Sequence, residues 1–426
     1  MKFVCGPAGF QVRAVEQAMS VVIYGQAEKG QVSVGGYTRH LLEKSHLEIS
    51  AQAWDFLSIA LSVVAADFTD LRAKSADGWT RTLELHIAVQ DPVLWNGQAR
   101  ALEAALGFLT TDVWTFVFHP GGYGPPAQMQ AIHPQEESVA LLSGGMDSLI
   151  GAIDLVTQGG RPYAVSQIVR GDGQKQHDFA RSLGLSRIGL NHVAKSPGPQ
   201  EPSQRARSIV FLAFGLAVAT SLDRYHQGGR VPLYICENGF IAINPPLTVT
   251  RLGSLSTRTA HPEYLGRLQQ VFDAAGINVQ IRNPYALKTK GEMMEGCLNQ
   301  DLLKQHAVTS TSCGRFQRFG YKHCGRCVPC QVRRASFLYW GRIQDSTQYI
   351  YEDLGIDSPK YGRFEDVRSV GMAVASVFLD GFDQWLGHSL FSPFITDRHG
   401  YKRMLVQGLD ELATLHASYG LSLPSR

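Results

Sequence analysis

The chain has 426 residues, enough for two or three domains at about 150 residues each, and this length excludes a hormone-like or disulfide-framed miniprotein. Hydrophobic residues make up 44% and charged residues 18%, the balance of a folded enzyme and too apolar for a disordered chain. Lysine plus arginine number 40 and aspartate plus glutamate 37, a formal charge of +3, which argues against direct nucleic-acid binding and against attachment to a membrane surface.

Residues 1–9 lack the apolar stretch of a secretory signal, and Arg13 and Glu16 interrupt the next stretch, so a cytoplasmic location is expected. Strands are predicted over 31–34, 47–50, 80–89 and 113–118 and helices over 54–66 and 96–109, an α+β domain spanning 1–130. It carries no catalytic constellation, which assigns it to scaffolding or partner recognition. The turn-rich run His119-Pro120-Gly121-Gly122-Tyr123-Gly124-Pro125-Pro126 reads as a linker reaching about 134.

From 136 to 343, apolar strands (138–142, 163–169, 188–190, 233–236) alternate with helical patterns, the signature of βαβ units around a Rossmann-like parallel sheet. The most apolar run, 209–222, is shorter than the roughly 18 to 20 residues that cross a bilayer and reads as a buried helix. Beyond 345 the pattern is helical (367–386 and 401–419, parted by Asp397-Arg398-His399-Gly400), an extension that packs on the core or on a second copy in a homodimer.

Ser138-Val139-Ala140-Leu141-Leu142 runs into Ser143-Gly144-Gly145-Met146-Asp147-Ser148 and then a helix. Two glycines allow a close backbone approach, and the helix start turns its free N–H groups and positive dipole end toward an anion. Ser143 and Ser148 add hydroxyls, and Asp147 suits Mg²⁺ or a helix cap. No GxxxxGK[ST] or GxGxxG occurs. The SGGxDS pattern resembles the PP-loop, which implies ATP cleaved between its α- and β-phosphates.

Of seven cysteines, Cys313, Cys324, Cys327 and Cys330 crowd together. Four thiolates suit one tetrahedral, closed Zn²⁺ site, with Lys322, Arg326, Arg333 and Arg334 favouring the ionised thiols. The iron–sulfur alternative lacks the accompanying CxxxCP. His323 is either a competing ligand or a solvated loop residue. Glu237 and Asn238 follow the strand at 233–236, where open α/β sheets hold ligands, and either reach a nucleobase edge or form a plain turn. The loop containing Ser256, Thr257, Arg258 and His261 suits an anionic or heteroaromatic substrate, or is a polar surface loop. Lys290 either neutralises phosphate or is an exposed lysine of a first helical turn, and Arg207 and Ser208, candidates for ATP contacts, open the apolar helix toward the cleft.

Together, SGGMDS at 143–148, Arg207-Ser208, Thr289-Lys290-Gly291-Glu292 and the four cysteines resemble the QueC-like, 7-cyano-7-deazaguanine synthase family of PP-loop ATP pyrophosphatases. The resemblance covers the middle half of the chain. It implies a PP-loop (HUP) type fold, ATP and Mg²⁺ held by Ser143, Gly144, Gly145, Asp147 and Ser148, Lys290 near the phosphates, zinc on the cysteines, and 7-carboxy-7-deazaguanine as substrate. Gly171-Asp172-Gly173-Gln174-Lys175-Gln176-His177 stands where the biosynthetic enzymes carry Tyr-Gly-Gln-Arg-His, and those enzymes lack both outer segments. The Glu-Asn-Gly turn and the Ser-Thr-Arg-Thr-Ala-His-Pro loop are more similar to the enlarged QueC-like proteins of anti-phage operons (QatC of the Qat system, type IV CBASS). That branch implies a partner protein from the same operon whose N-terminus accepts the activated acyl group. Two alternatives are a free-nitrile synthase using ammonia and an inactive nucleotide-binding scaffold of a defence complex.

Overall fold

The computed structural model describes residues 1–248, 258–355, 365–387 and 389–421. Ser256 and Thr257 lie outside the described residues. The first part contains β1 (Lys2–Gly6), β2 (Met19–Ile23), β3 (Val32–Val34), α1 (Gly36–Ser45), α2 (Ala51–Thr69), β4 (Thr82–Val89), α3 (Pro92–Thr110) and β5 (Val113–Pro120). Its five strands run in the order β3-β2-β1-β4-β5 and every pairing is parallel. The expected α+β domain is therefore corrected to α/β: all its strands pair in parallel, and α2 and α3 carry the chain from β3 to β4 and from β4 to β5, while non-helical segments join β1 to β2 and β2 to β3. The strand expected over 47–50 is instead the entrance to α2, where the Ser50 hydroxyl caps the helix by accepting from Ala53 N at 3.2 Å.

A second sheet is built from β6 (Ser138–Leu141), α4 (Met146–Thr157), β7 (Pro162–Gln167), α5 (Gly173–Ser182), β8 (Arg187–Leu190), α6 (Ser208–Ala219), α7 (Asp223–His226), β9 (Val231–Tyr234), α8 (Gly239–Ile243), α9 (Pro262–Ala274) and β10 (Val279–Arg282). The order β10-β9-β6-β7-β8 is again all parallel, so the chain reverses direction across the sheet between β6 and β9. In open α/β sheets that reversal opens the crevice where ligands bind.

α10 (Lys290–Glu295), α11 (Gln300–His306) and α12 (Val328–Trp340) complete this part, and α13 (Glu365–Asp380), α14 (Phe382–Leu386) and α15 (Arg398–Ser418) form the C-terminal helices. Gly381, at φ 90°, breaks the continuous helix expected over 367–386 into α13 and α14. α15 packs on α12, α8 and α10 of the same chain, so the C-terminal helices pack on this chain's own core.

The two sheets share one apolar core. α2 lies against β2, β3 and β4 on one side and against α6 on the other, while α6 covers β6, β7 and β9. α3 similarly meets α9. α2 is long and apolar enough to cross a membrane, but 89% of its apolar window is buried between these layers. Burial on every side explains why its hydrophobic pattern has no polar face.

A buried ionic cluster ties the first sheet to the segment before α6. Asp112 accepts from Arg72 at 2.8 and 2.7 Å and from Arg81 at 2.7 Å. Asp67 pairs with Arg81 and accepts Ala206 N at 2.9 Å. Glu201 accepts Arg72 N at 2.9 Å. Asp112→Ala would leave the buried Arg72 and Arg81 guanidiniums to share the Asp67 carboxylate alone, and urea denaturation is expected to show a loss of about 3–5 kcal/mol.

Candidate active site

A cavity of about 470 Å³ opens at the carboxyl ends of β6 and β9. Ser143, Gly145, Asp147 and Ser148 of the glycine loop, Arg207 and Ser208 at the start of α6, Glu237 and Asn238 after β9, and Arg258 and Lys290 all line it. Residues far apart in the chain thus meet at the reversal point of the sheet. His261 does not: it faces a neighbouring cleft and caps α9, its Nδ1 accepting Glu263 N at 3.1 Å. Burial and the adjacent Arg258 push its imidazole down to about 3, which keeps it neutral as that acceptor requires.

The glycine loop is held from both sides. Gly144 adopts φ 86°, and a Cβ there would sit 3.3 Å from the Asp172 side chain. The Ser143 and Ser148 hydroxyls lie 3.0 Å apart, and Ser143 Oγ accepts Gly145 N at 3.2 Å. Gln176 donates to Ser143 O at 3.1 Å, and Thr311 N donates to Gly144 O at 2.9 Å. α4 starts from Gly145 without a side-chain cap, leaving its first amides for an anion. The stretch Asp172 to Gln176 forms the far wall of the loop: Lys175 and Asp172 share the Thr311 hydroxyl at 2.6 and 2.7 Å. The departure from the Tyr-Gly-Gln-Arg-His pattern flagged this stretch without indicating that it supports the loop.

Asp147 is buried under the loop, ion-paired with Lys290 and accepting from the Asn238 amide at 2.6 Å and Asn238 N at 3.2 Å. Asn238 also caps α8, its oxygen accepting Ile241 N at 3.0 Å. Its amide thus positions Asp147, and Asn238 itself lines the cavity beside Glu237. Glu237 faces the cavity, and burial, then the Asp147 charge, pushes its carboxyl up to about 7. The Asp147 carboxylate with the Ser143 and Ser148 hydroxyls offers the hard oxygen donors that Mg²⁺ takes beside phosphates, and the Lys290 ammonium adds positive charge at the same cavity.

Arg205, which the sequence did not single out, also lines the cavity. It stacks 4.1 Å over Trp79 and donates to Thr110 O at 3.2 Å, so the first sheet's connections fix it in place. Nor did the sequence point to Glu411 on α15. It accepts from the Thr289 hydroxyl beside Lys290, and a Cβ on Gly291 would lie 2.7 Å from its carboxylate oxygens. Arg403 of α15 holds Glu292 and Leu287 O at 2.5 Å. The C-terminal helix therefore grips the capping box of the short α10 that carries Lys290.

The ligand atoms of Cys313, Cys324, Cys327 and Cys330 all lie within 4.8 Å of one another, and all four side chains are buried. Cys327 and Cys330 sit at the start of α12, while Arg315 N and Cys324 N reach Cys313 Sγ at 3.3 and 3.4 Å. Contacts with the other thiols, Cys313 first, pull Cys324 far down, whereas burial pushes Cys330 well up. Four such thiols ionise together only around a cation, and the set fits closed zinc coordination. His323 takes neither role expected of it. It is buried, and its Nε2 accepts Ser312 N at 3.1 Å. Arg326, Arg333 and Arg334 donate to backbone carbonyls of 307–355, so they brace the cluster's surroundings. Cys313 itself borders the cavity, so the cluster and the glycine loop meet through Thr311 and Ser312.

Over 241 residues, half of this chain and 99% of the relative, the sequence is 29% identical to a 7-cyano-7-deazaguanine synthase of Azotobacter vinelandii. No family model matches the chain.

Metal analysis is expected to find one zinc per chain that survives chelator dialysis, lost with lowered thermal stability in Cys327→Ser. Glu411 gives a pH-dependent expectation. Burial raises its carboxyl from 4.5 to about 7. Between those values the unfolded chain releases the proton while the folded chain keeps it, so stability falls as pH rises. Glu411→Gln removes that loss: its unfolding free energy relative to the parent is expected to rise by up to about 3 kcal/mol between pH 4.5 and pH 8 in denaturant titrations.

Proposed function

We propose that this protein uses ATP to activate the carboxylate of a 7-deazaguanine and joins it to an amine. The reading rests on one arrangement: the Ser143-Gly144-Gly145 loop, the Asp147–Lys290 pair and Glu237 face a single cavity between β6 and β9. It is supported by similarity to a 7-cyano-7-deazaguanine synthase along nearly that relative's whole length.

In this reading the loop amides and the free start of α4 receive the phosphates, with Lys290, Arg205 and Arg207 offsetting their charge. Asp147 would hold Mg²⁺, which when bound neutralises charge on the triphosphate. A carboxylate oxygen of the substrate attacks the α-phosphorus and the bond to the β-phosphate oxygen breaks, so pyrophosphate leaves. An amine nitrogen then forms a C–N bond at the acyl carbon while the C–O bond to AMP breaks. Glu237, with a carboxyl near neutrality, takes the proton that the nitrogen sheds. The zinc cluster holds the 311–314 loop against the glycine loop and takes no chemical part.

The acceptor we favour is the N-terminus of a partner protein in an anti-phage operon. The relative's match covers half of this chain, and the first sheet and the C-terminal helices give a docking body that ammonia does not need. Free nitrile synthesis is the second reading, supported by the activity for which the relative is named.

Incubation with ATP, Mg²⁺, 7-carboxy-7-deazaguanine and the proteins encoded beside it is expected to release pyrophosphate and AMP and to add an acyl mass to one partner, read by intact mass spectrometry. Asp147→Asn should lower pyrophosphate release by about 100-fold or more with the circular dichroism spectrum unchanged. An unaffected rate would remove the glycine-loop cavity from the reaction, and free amide or nitrile with unmodified proteins would favour the second reading.

A further inference from the structure

Away from the cavity, three segments bring Glu48, His133 and His226 together on the surface, their ligand atoms within 4.8 Å of one another. Glu48 precedes the cap of α2, His133 lies in the connection between the two sheets, and His226 ends α7. His133 Nε2 is 2.7 Å from Glu48 Oε2, and His226 Nε2 is 3.3 Å from Glu48 O, so both imidazoles turn the same nitrogen toward one residue. The two rings stack with centroids 3.9 Å apart and planes 19° from parallel.

The backbone under each ligand is already fixed. Ile132 N donates to His46 O at 2.8 Å, and Asp223 N donates to Pro134 O at 2.9 Å, clamping the chain on both sides of His133. Ser50 N reaches the Thr220 hydroxyl at 3.3 Å, which sets the start of α2 against the end of α6, just ahead of α7. Organising the three ligands therefore costs side-chain rotation and little backbone entropy.

We propose that Glu48, His133 and His226 form a second metal site, for a borderline divalent cation of the Zn²⁺ class. Two imidazole nitrogens and one carboxylate oxygen are the donors that such ions take. A tetrahedral shell at about 2.0–2.1 Å from the metal keeps its ligand atoms about 3.4 Å apart, so binding opens the Glu48–His133 contact and turns the two stacked rings out of parallel until their Nε2 atoms converge on the ion. Three protein ligands leave one position to water. Because the ligands come from the segment entering the first sheet's α2, the connection and the second sheet's α7, the ion would staple the connection to both sheets. Unlike the four-cysteine cluster, this site is exposed and its metal exchangeable.

The test uses the full chain carrying zinc in its cysteine cluster, dialysed against EDTA to strip labile metal. Isothermal titration with ZnCl₂ is expected to show one further equivalent bound and a rise in melting temperature. Both should disappear in His133→Gln/His226→Gln, whose surface positions, half-buried and exposed respectively, leave folding and the chelator-resistant zinc intact. Titration of Glu48→Gln separates the ligand role from ring stacking: it keeps both imidazoles and should weaken the extra equivalent at least tenfold. Equal uptake by the parent and the double variant, or no uptake by the parent, overturns the site. Neither readout depends on ATP turnover.

Discussion

A parallel sheet has two faces to cover and no water-facing side to spare. This chain folds two such sheets, and they share helices: α2 and α6 lie between them, and α3 and α9 continue the same layer. The extreme apolarity of α2 and of 209–222 comes from that position, since each helix meets a sheet on one side and another helix on the other. So does the rigidity of the segment leading into α6. Its backbone is anchored to the first sheet through Asp67, Glu201 and the Arg72–Arg81–Asp112 cluster. The first sheet thereby fixes Arg205 and Arg207 at the rim of a cavity formed by the second.

The C-terminal helices act on the same cavity from the opposite side. Lys290 stands on a helix of six residues, too short to hold itself in place. Glu411 and Arg403 of α15 take up its capping residues, and Lys290 in turn meets the buried Asp147. The two outer segments are thus structural parts of the site, whatever else they dock. The cysteine cluster adds a third brace by tying 311–314 to the start of α12, next to the glycine loop.

Local chemistry made some of this legible from the residues alone. SGGMDS after an apolar strand, and four cysteines between 313 and 330, each concentrate their function in a few consecutive positions, and the structure keeps them as compact local units. Most strands of the second sheet are likewise readable, because a strand buried on both faces is a continuous apolar run. The first sheet reads as α+β in sequence because strand runs do not encode pairing direction. β1 and β2 are five residues each and offer too little pattern to be recognised.

The sequence by itself determined a parallel α/β core, a glycine loop of anion-binding type and a four-thiolate cluster, since these depend on neighbouring residues and spacing. Tertiary structure alone decided which distant groups serve that loop. It assigned Asn238 to Asp147, removed His261 to a helix cap, turned His323 into a buried acceptor, and recruited Gln176, Arg205 and Glu411. The physical reason is that a contact such as Lys290 with Asp147, 143 positions apart in the chain, is fixed by how sheets and helices stack, and residue type at either end carries no record of its partner.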